Sequence, residues 1–350
     1  MEVRNFISFD DIDVVWWESL YSLFRHIIAH PDEYRDACRG KLLASLFFES
    51  STRTRFSFQA AMQRLGGGVF GFANPNDSSI SKGESLADTM RMAGTYSDVI
   101  VMRTTQEGAA KAASLYSEVP IINAGDGGHL HPTQTLTDLA TISMLRGKLG
   151  DCTIGLCGDL KYGRTVHSLV TALAKFSGIK FCMIAPDDLG MPEYMLRFMR
   201  EHGMEYTVCR SLEEALGSLD ILYMTRIQRE RFEYSYDDNP LDLSNFILTE
   251  KKLTGAKVDL TILHPLPRVD EIERAVDADT RAKYFEQAKY GMYIRMALLL
   301  KLTSLPRRAV VPQVEGGNEC HNPVCVTQTE RYLPRIVTGS GACGYCDKPL

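Results

Sequence analysis

Short apolar runs alternate with amphipathic stretches along most of this 350-residue chain. Residues 42–49 and 152–157 are two of the apolar runs, and each leads into a stretch whose apolar positions recur at helical spacing. Strands that alternate with helices are typical of α/β folds with parallel sheets. We therefore predict two doubly wound parallel-sheet domains of similar size, with a small C-terminal module.

The sequence also predicts where these parts begin and end. Residues 1–146 are expected to form the first domain and residues 147–281 the second. A long apolar helix over residues 282–304 should return to complete the first domain. The remaining residues, 305–350, should form a linker and the C-terminal module.

Composition excludes several classes of protein. Hydrophobic residues make up 45% and charged residues 24% of the chain, and the net charge is −5, which is ordinary for a globular protein. No basic excess attracts the whole chain to nucleic acid, and no apolar run reaches the length of about 18 residues needed for a membrane span. Acidic residues occupy the start, where a signal peptide needs an apolar core, so we expect a cytoplasmic protein.

Polar segments follow four of the predicted strands, at residues 50–55, 123–134, 158–164 and 264–268. Ligands of such sheets bind at the carboxyl ends of the strands. In the first segment, hydroxyls, guanidinium groups and the free N–H groups of a helix start converge, which indicates a phosphate site. The alternative is a capped helix with surface arginines.

The residues Phe47-Phe-Glu-Ser-Ser-Thr-Arg-Thr-Arg55 resemble the carbamoyl-phosphate signature of the aspartate/ornithine carbamoyltransferase family. The resemblance continues in order through residues 81–89, 101–103, 123–127, 131–135, 158–168, 223–231 and 264–271. Ornithine enzymes typically carry His-Cys-Leu-Pro where this chain has His264-Pro-Leu-Pro, and Arg164 and Arg226 suit a dicarboxylate. The resemblance therefore favours the aspartate branch of the family. A different amino acid acceptor, or a catalytically inactive scaffold of the same fold, is the alternative.

The resemblance implies a set of roles. Arg53, Arg103 and His131 are the implied catalytic residues, with His131 donating to the carbonyl oxygen rather than acting as a general base. The implied carbamoyl-phosphate contacts are Ser51, Thr52, Arg53, Thr54, Ser79, Arg103, His131, Gln134 and the main-chain carbonyls of Leu266 and Pro267. The implied aspartate contacts are Lys82, Arg164, Arg226 and Gln228.

In this family a lysine and a serine reach the active site from a neighbouring subunit, which implies a homotrimer with shared sites and possibly a higher assembly. Lys82 is the lysine, and the serine is Ser79 or Ser78. Without the resemblance, residues 74–83 would be interpreted as a solvated loop.

Histidines outside these motifs receive structural interpretations. His129 is expected on the surface, as are His26, His30 and His202. His264 is expected to shape the strand end beside Leu266 and Pro267.

Four of the nine cysteines lie in the last 31 residues. Cys320 and Cys325 form one close pair, and Cys343 and Cys346 form another. Two such pairs joined by a loop suit tetrahedral zinc, and four thiolates leave no open position for catalysis, so we predict a structural Zn²⁺. Unliganded thiols are the alternative.

This C-terminal module resembles the zinc domain of the separate regulatory chain found with some members of the aspartate branch. It should dock on a catalytic part, either of its own chain or of a neighbour, and it is too short to include a nucleotide-binding domain. A zinc ribbon that binds nucleic acid is the competing interpretation, but residues 320–350 hold only Arg331, Arg335 and Lys348 as basic groups.

Overall fold

The computed structural model of the chain describes residues 3–227, 243–311, 320–339 and 341–350. Its contacts divide it into two units: Met1–Leu136 together with Gly291–Leu350, and Thr137–Tyr290. Each unit is built on one parallel β-sheet, so the predicted fold class is confirmed.

The first unit contains a four-stranded sheet. Its elements in chain order are α1 Val14–Ala29, β1 Leu42–Phe47, α2 Thr52–Arg64, β2 Gly68–Phe72, α3 Leu86–Tyr96, β3 Val99–Thr104, α4 Ala109–Ser114 and β4 Ile121–Asp126. The strands lie in the order β2-β1-β3-β4, and every pair is parallel. Every residue of β3 and β4 is buried, as expected for strands with both faces covered.

The second unit contains a five-stranded parallel sheet in the order β7-β6-β5-β8-β9. Its elements are β5 Cys152–Cys157, α6 Arg164–Leu173, β6 Ile179–Ile184, α7 Glu193–Glu201, β7 Glu205–Cys209, α8 Leu212–Ala215, β8 Ile221–Met224 and β9 Thr261–Leu263. Two further helices, α5 Pro132–Arg146 and α9 Tyr284–Thr303, have residues in both units.

The C-terminal module belongs to the packed core of the first unit. Its four cysteines, with Val326, Leu333 and Tyr345, join one apolar cluster with α3 and α4. The sequence left open whether the module docks on its own chain or on a neighbour, and the structure has it against its own chain. In the described part of the chain, no helix is both long and apolar enough to span a membrane.

Candidate active site and metal centre

The first polar segment lies between β1 and α2. Ser51 is the N-cap residue of α2, and its side chain makes no capping hydrogen bond to the helix. The free N–H groups of the first turn therefore remain available to an anion, beside the hydroxyls of Thr52 and Thr54 and the exposed guanidinium of Arg53. This is the arrangement that the sequence predicts for a phosphate site.

Arg103 lies on the neighbouring strand β3 and is 7% exposed. Its Nε is 3.1 Å from a carboxylate oxygen of Glu49, and its Nη1 is 3.3 Å from Nε2 of His131. Because a guanidinium only donates, Nε2 of His131 is the acceptor in this contact.

The two arginines of this site repel each other. Burial and the nearby positive charge of Arg103 both lower the pKa of Arg53. An anion that contacts both guanidinium groups removes this repulsion and forms charge-assisted hydrogen bonds. The structure thus brings Arg53, Arg103 and His131 together in a setting that favours a phosphate dianion.

Gly125 makes close packing behind Arg103 possible. Its φ is +123°, and a Cβ at this position would lie 3.0 Å from Nη1 of Arg103 and 3.7 Å from the His131 ring. Only glycine combines this backbone conformation with this approach. Gln134 follows in the first turn of α5, where its N–H donates to the carbonyl of His131.

The turn that leads to His131 is closed by Asp126, which is 1% exposed. One carboxylate oxygen of Asp126 accepts from Asn123 Nδ2 and from the N–H of Leu130, each at 3.1 Å. The other accepts from the N–H of Gly108 at 2.8 Å and lies 3.0 Å from His129 Nδ1.

The expectation that His129 lies on the surface is wrong. The side chain of His129 is 11% exposed, and its ring lies between Asp126 and Asp347, 3.0 Å from each carboxylate. Burial alone would lower the pKa of His129, but hydrogen bonds to Asp126 and Asp347 raise it to about 10. Sequence reasoning had no signal for this contact, because the two partners of the ring are 3 and 218 residues away.

The segment around Lys82 contains a 3-10 turn, Ser79–Lys82, in which both end residues are exposed. The hydroxyl of Ser78 donates to the carbonyl of Pro75 at 2.7 Å, whereas Ser79 is exposed to solvent. This difference supports Ser79 as the serine available to a ligand.

In the second unit, Arg164 and Arg226 follow the neighbouring strands β5 and β8. The loop before Arg164 is anchored to the end of β8, because the N–H of Asp159 donates to Thr225 Oγ1 at 3.1 Å. The two arginines therefore lie near adjacent carboxyl ends of one sheet. Gln228, the third predicted aspartate contact of this unit, lies outside the described residues.

Leu266 and Pro267 follow β9, the next strand of that sheet, and are joined by a cis peptide bond. His264 Nδ1 accepts from the N–H of Leu266 at 2.7 Å, and its Nε2 lies 2.7 Å from a carboxylate oxygen of Glu271. His264 therefore sets the backbone beside the two predicted carbonyl contacts.

Further buried polar groups support this turn. The N–H of His264 donates to Gln287 Oε1 at 2.9 Å, and Gln287 Nε2 donates to Asp138 at 2.7 Å. The hydroxyl of Tyr223 donates to the other oxygen of Asp138 at 2.9 Å. Sequence reasoning missed this network, whose members are far apart along the chain.

The four C-terminal cysteines are all buried, and their Sγ atoms lie within 4.8 Å of one another. The Sγ–Sγ distance is 3.6 Å for Cys320 and Cys346, and 3.9 Å for Cys325 and Cys343. Tetrahedral zinc with bonds of about 2.3 Å requires sulfur separations of about 3.8 Å. The cluster could therefore hold a metal ion with four sulfur ligands.

Several contacts join the C-terminal module to the rest of the first unit. Asn322 Nδ2 donates to Glu107 at 2.8 Å, and the N–H of Val326 donates to the Glu107 carbonyl at 3.0 Å. A Cβ on Gly108 would lie 2.5 Å from the backbone of Tyr345. The backbone segments around Gly108 and Tyr345 therefore pack directly against each other.

Two family models match this chain. "Aspartate/ornithine carbamoyltransferase, carbamoyl-P binding domain" matches residues 4–144, and "Aspartate/ornithine carbamoyltransferase, Asp/Orn binding domain" matches residues 150–302. The chain belongs to the aspartate/ornithine carbamoyltransferase family. The predicted family is thus confirmed, and the C-terminal module of this carbamoyltransferase lies beyond both matches.

Catalytic subunits of aspartate carbamoyltransferase are among its relatives. That of Clostridium botulinum (strain Eklund 17B / Type B) is 54% identical over 300 residues, which cover 85% of this chain and 97% of the relative. That of Clostridium novyi (strain NT) is 53% identical over 302 residues, covering 86% and 98%.

Solved structures of aspartate transcarbamoylases are also similar to this chain. The catalytic subunit of M. jannaschii aspartate transcarbamoylase aligns with a TM-score of 0.80 at 42% identity, covering 86% of this carbamoyltransferase and 98% of that chain. Aspartate transcarbamoylase from Trypanosoma cruzi in complex with N-(phosphonacetyl)-L-aspartic acid aligns with a TM-score of 0.77 at 38% identity, covering 86% and 96%.

Proposed function

We propose that the chain is an aspartate carbamoyltransferase. It transfers the carbamoyl group of carbamoyl phosphate to the amine of L-aspartate and gives N-carbamoyl-L-aspartate and phosphate. The observation that carries this function is the convergence of Arg53, Arg103 and His131 at neighbouring strand ends, in a chain that is 54% identical to an aspartate carbamoyltransferase catalytic subunit over 97% of that subunit.

The first unit binds and activates carbamoyl phosphate. Ser51, Thr52, Arg53 and Thr54 hold the phosphate, and Arg53 stabilises it as it leaves. Arg103 bridges the phosphate and the carbonyl oxygen, to which His131 donates a hydrogen bond. These donors stabilise the charge that develops on the oxygen when the amine attacks, so no covalent enzyme intermediate is needed.

The second unit binds the amino acid. Arg164, Arg226 and Gln228 hold the two carboxylates of aspartate. The main-chain carbonyls of Leu266 and Pro267, with Gln134 of the first unit, accept from the carbamoyl NH₂. We assign residues 1–146 and 282–304 to the carbamoyl-phosphate domain and residues 147–281 to the aspartate domain.

The active enzyme is a homotrimer with shared sites. Lys82 and Ser79 reach the site of a neighbouring subunit, which is consistent with their exposure in this chain. None of the nine cysteines forms a disulfide, as suits a protein of the reducing cytoplasm.

The metal of the C-terminal module is Zn²⁺. Four thiolates in tetrahedral arrangement match the preference of zinc, and residues 305–350 are too few to fold on an apolar core alone. Zinc supplies folding free energy here and takes no part in carbamoyl transfer.

Calorimetric titration with N-(phosphonacetyl)-L-aspartate tests this function. A chain that binds both substrates should bind the bisubstrate analogue at least about 100-fold more tightly than phosphate. Arg164→Ala should remove most of this advantage, and Arg197→Ala, at an exposed position on α7, should retain it. An analogue that binds the wild type no better than phosphate would contradict the proposal and favour an inactive scaffold.

A further inference from the structure

Among the described residues, the side chain of His129 joins the C-terminal module to the turn that precedes His131. Nε2 of His129 lies 3.0 Å from the Asp347 carboxylate, and Nδ1 lies 3.0 Å from the Asp126 carboxylate. Asp347 directly follows Cys346, and its own N–H donates to the carbonyl of Cys343 at 2.9 Å. The carboxylate that faces His129 is therefore held by the metal-binding end of the chain.

The same turn determines where His131 lies. The N–H of His129 donates to the Asp126 carbonyl at 3.1 Å, and the N–H of Asp126 donates to the Leu130 carbonyl at 3.2 Å. The side chain of Asp126 also accepts from the N–H of Leu130 at 3.1 Å. These bonds make the turn a closed loop, and His131 is the next residue after it.

We propose that His129 is a positioning residue, which joins the C-terminal module to the His131 turn through the carboxylates of Asp126 and Asp347. Both ring nitrogens face carboxylates, so the ring donates in both directions and holds the turn against the module. The module is then a part of the catalytic apparatus as well as a docked domain. The inference rests on the proposed role of His131 as the donor to the carbamoyl oxygen.

This coupling has a defined kinetic consequence. The proposed role of His131 is to stabilise the charge that develops on the carbonyl oxygen in the transition state. A displaced His131 should therefore lower kcat more than it raises KM. Loss of the bridge lets the turn shift without removing any group that touches substrate. A displacement of this kind should lower kcat about tenfold, less than the loss of a whole donor.

A double-mutant cycle on the full-length protein tests the bridge. The variants are His129→Asn, Asp347→Asn and the double variant, with kcat, KM for carbamoyl phosphate and melting temperature measured for each. We expect each single variant to lower kcat about tenfold and the double variant to be no worse than either, because both remove the same link. Asp347→Glu, which keeps the carboxylate, should restore part of the lost kcat.

Thr329→Ala is the matched control. It removes the 2.5 Å hydrogen bond that Gln106 Nε2 donates to Thr329 Oγ1 of the module. This contact does not involve the turn before His131. It should leave kcat within about twofold of the wild type. Two results would overturn the proposal and leave His129 a docking residue only. One is an equal fall in kcat for Thr329→Ala. The other is a double variant whose loss of kcat equals the product of the two single losses.

His131→Asn separates this inference from the proposed function. If His131→Asn lowers kcat strongly while His129→Asn and Asp347→Asn keep it at the wild-type value, the positioning role is wrong and the function stands. If His131→Asn has no effect on kcat, the proposed role of His131 fails, and the inference fails with it. Asp347 is 59% exposed, so its variants keep the test valid even if His129→Asn does not fold.

Discussion

Arg103 is the residue on which the proposed carbonyl site depends most. It is buried on β3, paired with Glu49, and held 3.3 Å from His131 by a chain turn that a glycine permits. Its planar fork of donors can contact two oxygens at once, which a lysine ammonium cannot reproduce. Arg103 can therefore bind the phosphate and the carbonyl oxygen together.

This geometry predicts the effect of Arg103→Lys. The variant keeps the charge but loses one of two directed hydrogen bonds, so kcat for N-carbamoyl-aspartate formation should fall about 100-fold or more. The melting temperature should change little. Arg64→Lys, at the exposed far end of α2, is the control and should match the wild type. Equal kcat values for the two variants would remove Arg103 from the mechanism.

Glu271 gives a prediction for pH. Burial alone would raise the pKa of Glu271, but hydrogen bonds from His264 and from the N–H of Val269 hold it below its usual value. The ionised side chain therefore stabilises the fold above its unfolded-state pKa, for which the reference value is 4.5, and this stabilisation is lost as pH falls through the lower folded-state value.

We expect Glu271→Gln to lower the free energy of unfolding at neutral pH by about 1–3 kcal/mol. Between about pH 5 and pH 3 the wild type should lose stability more steeply than this variant, as measured by urea unfolding. Glu201→Gln, at an exposed site of the same unit, should follow the wild-type curve. Parallel curves for wild type and Glu271→Gln would contradict the assignment.

Residues with local signals could be predicted from the sequence. Arg53 stands at a helix start after a strand, and the four cysteines have a spacing typical of metal ligands. His129 and the network around Asp138 could not be predicted, because their partners are distant along the chain and polar contacts of this kind leave no periodic pattern.

At the scale of elements, the sequence predicts strands that are marked by an apolar run and misses one that is not. β1 and β5 are continuous apolar runs, and their predicted bounds differ from the observed ones by two residues or fewer. β7 lies at the edge of its sheet and is largely exposed, so it has no apolar run to indicate it. The presence of an apolar run therefore decided which strands could be predicted.

The C-terminal module is the element whose stability we propose to depend on metal. We expect the purified full-length protein to hold about one zinc ion per chain, and Cys346→Ser to lower that content and the melting temperature. Cys209→Ser, outside the cluster, should leave both unchanged. Elemental analysis measures the content, and a Cys346→Ser protein with full zinc would show that these thiols are not the ligands.

At the scale of the whole molecule, the proposed trimer makes activity a property of the assembly. Lys82 is exposed on its own subunit, whereas Arg53 belongs to the site of the subunit that carries it. The shared site predicts that Lys82→Ala and Arg53→Ala trimers are each nearly inactive. When the two kinds of trimer are mixed and exchange subunits, some activity should return. Some sites then combine an intact Arg53 from one subunit with an intact Lys82 from its neighbour.

The size of this recovery is measurable. Rates of N-carbamoyl-aspartate formation before and after exchange give the recovered fraction, and a mixture of two Arg53→Ala preparations is the control. No recovery after proven subunit exchange would show that each site is built from one chain.

We propose that cationic groups at the strand ends of both sheets bring carbamoyl phosphate and a dicarboxylic amino acid together. The most direct measurement is product formation by the purified chain from labelled carbamoyl phosphate, with aspartate and ornithine as separate acceptors at equal concentration. We predict N-carbamoyl-L-aspartate at a rate at least about 100-fold above that of citrulline, since arginines that bind carboxylates reject the ammonium side chain of ornithine. Faster formation of citrulline, or no product from aspartate, would contradict this account.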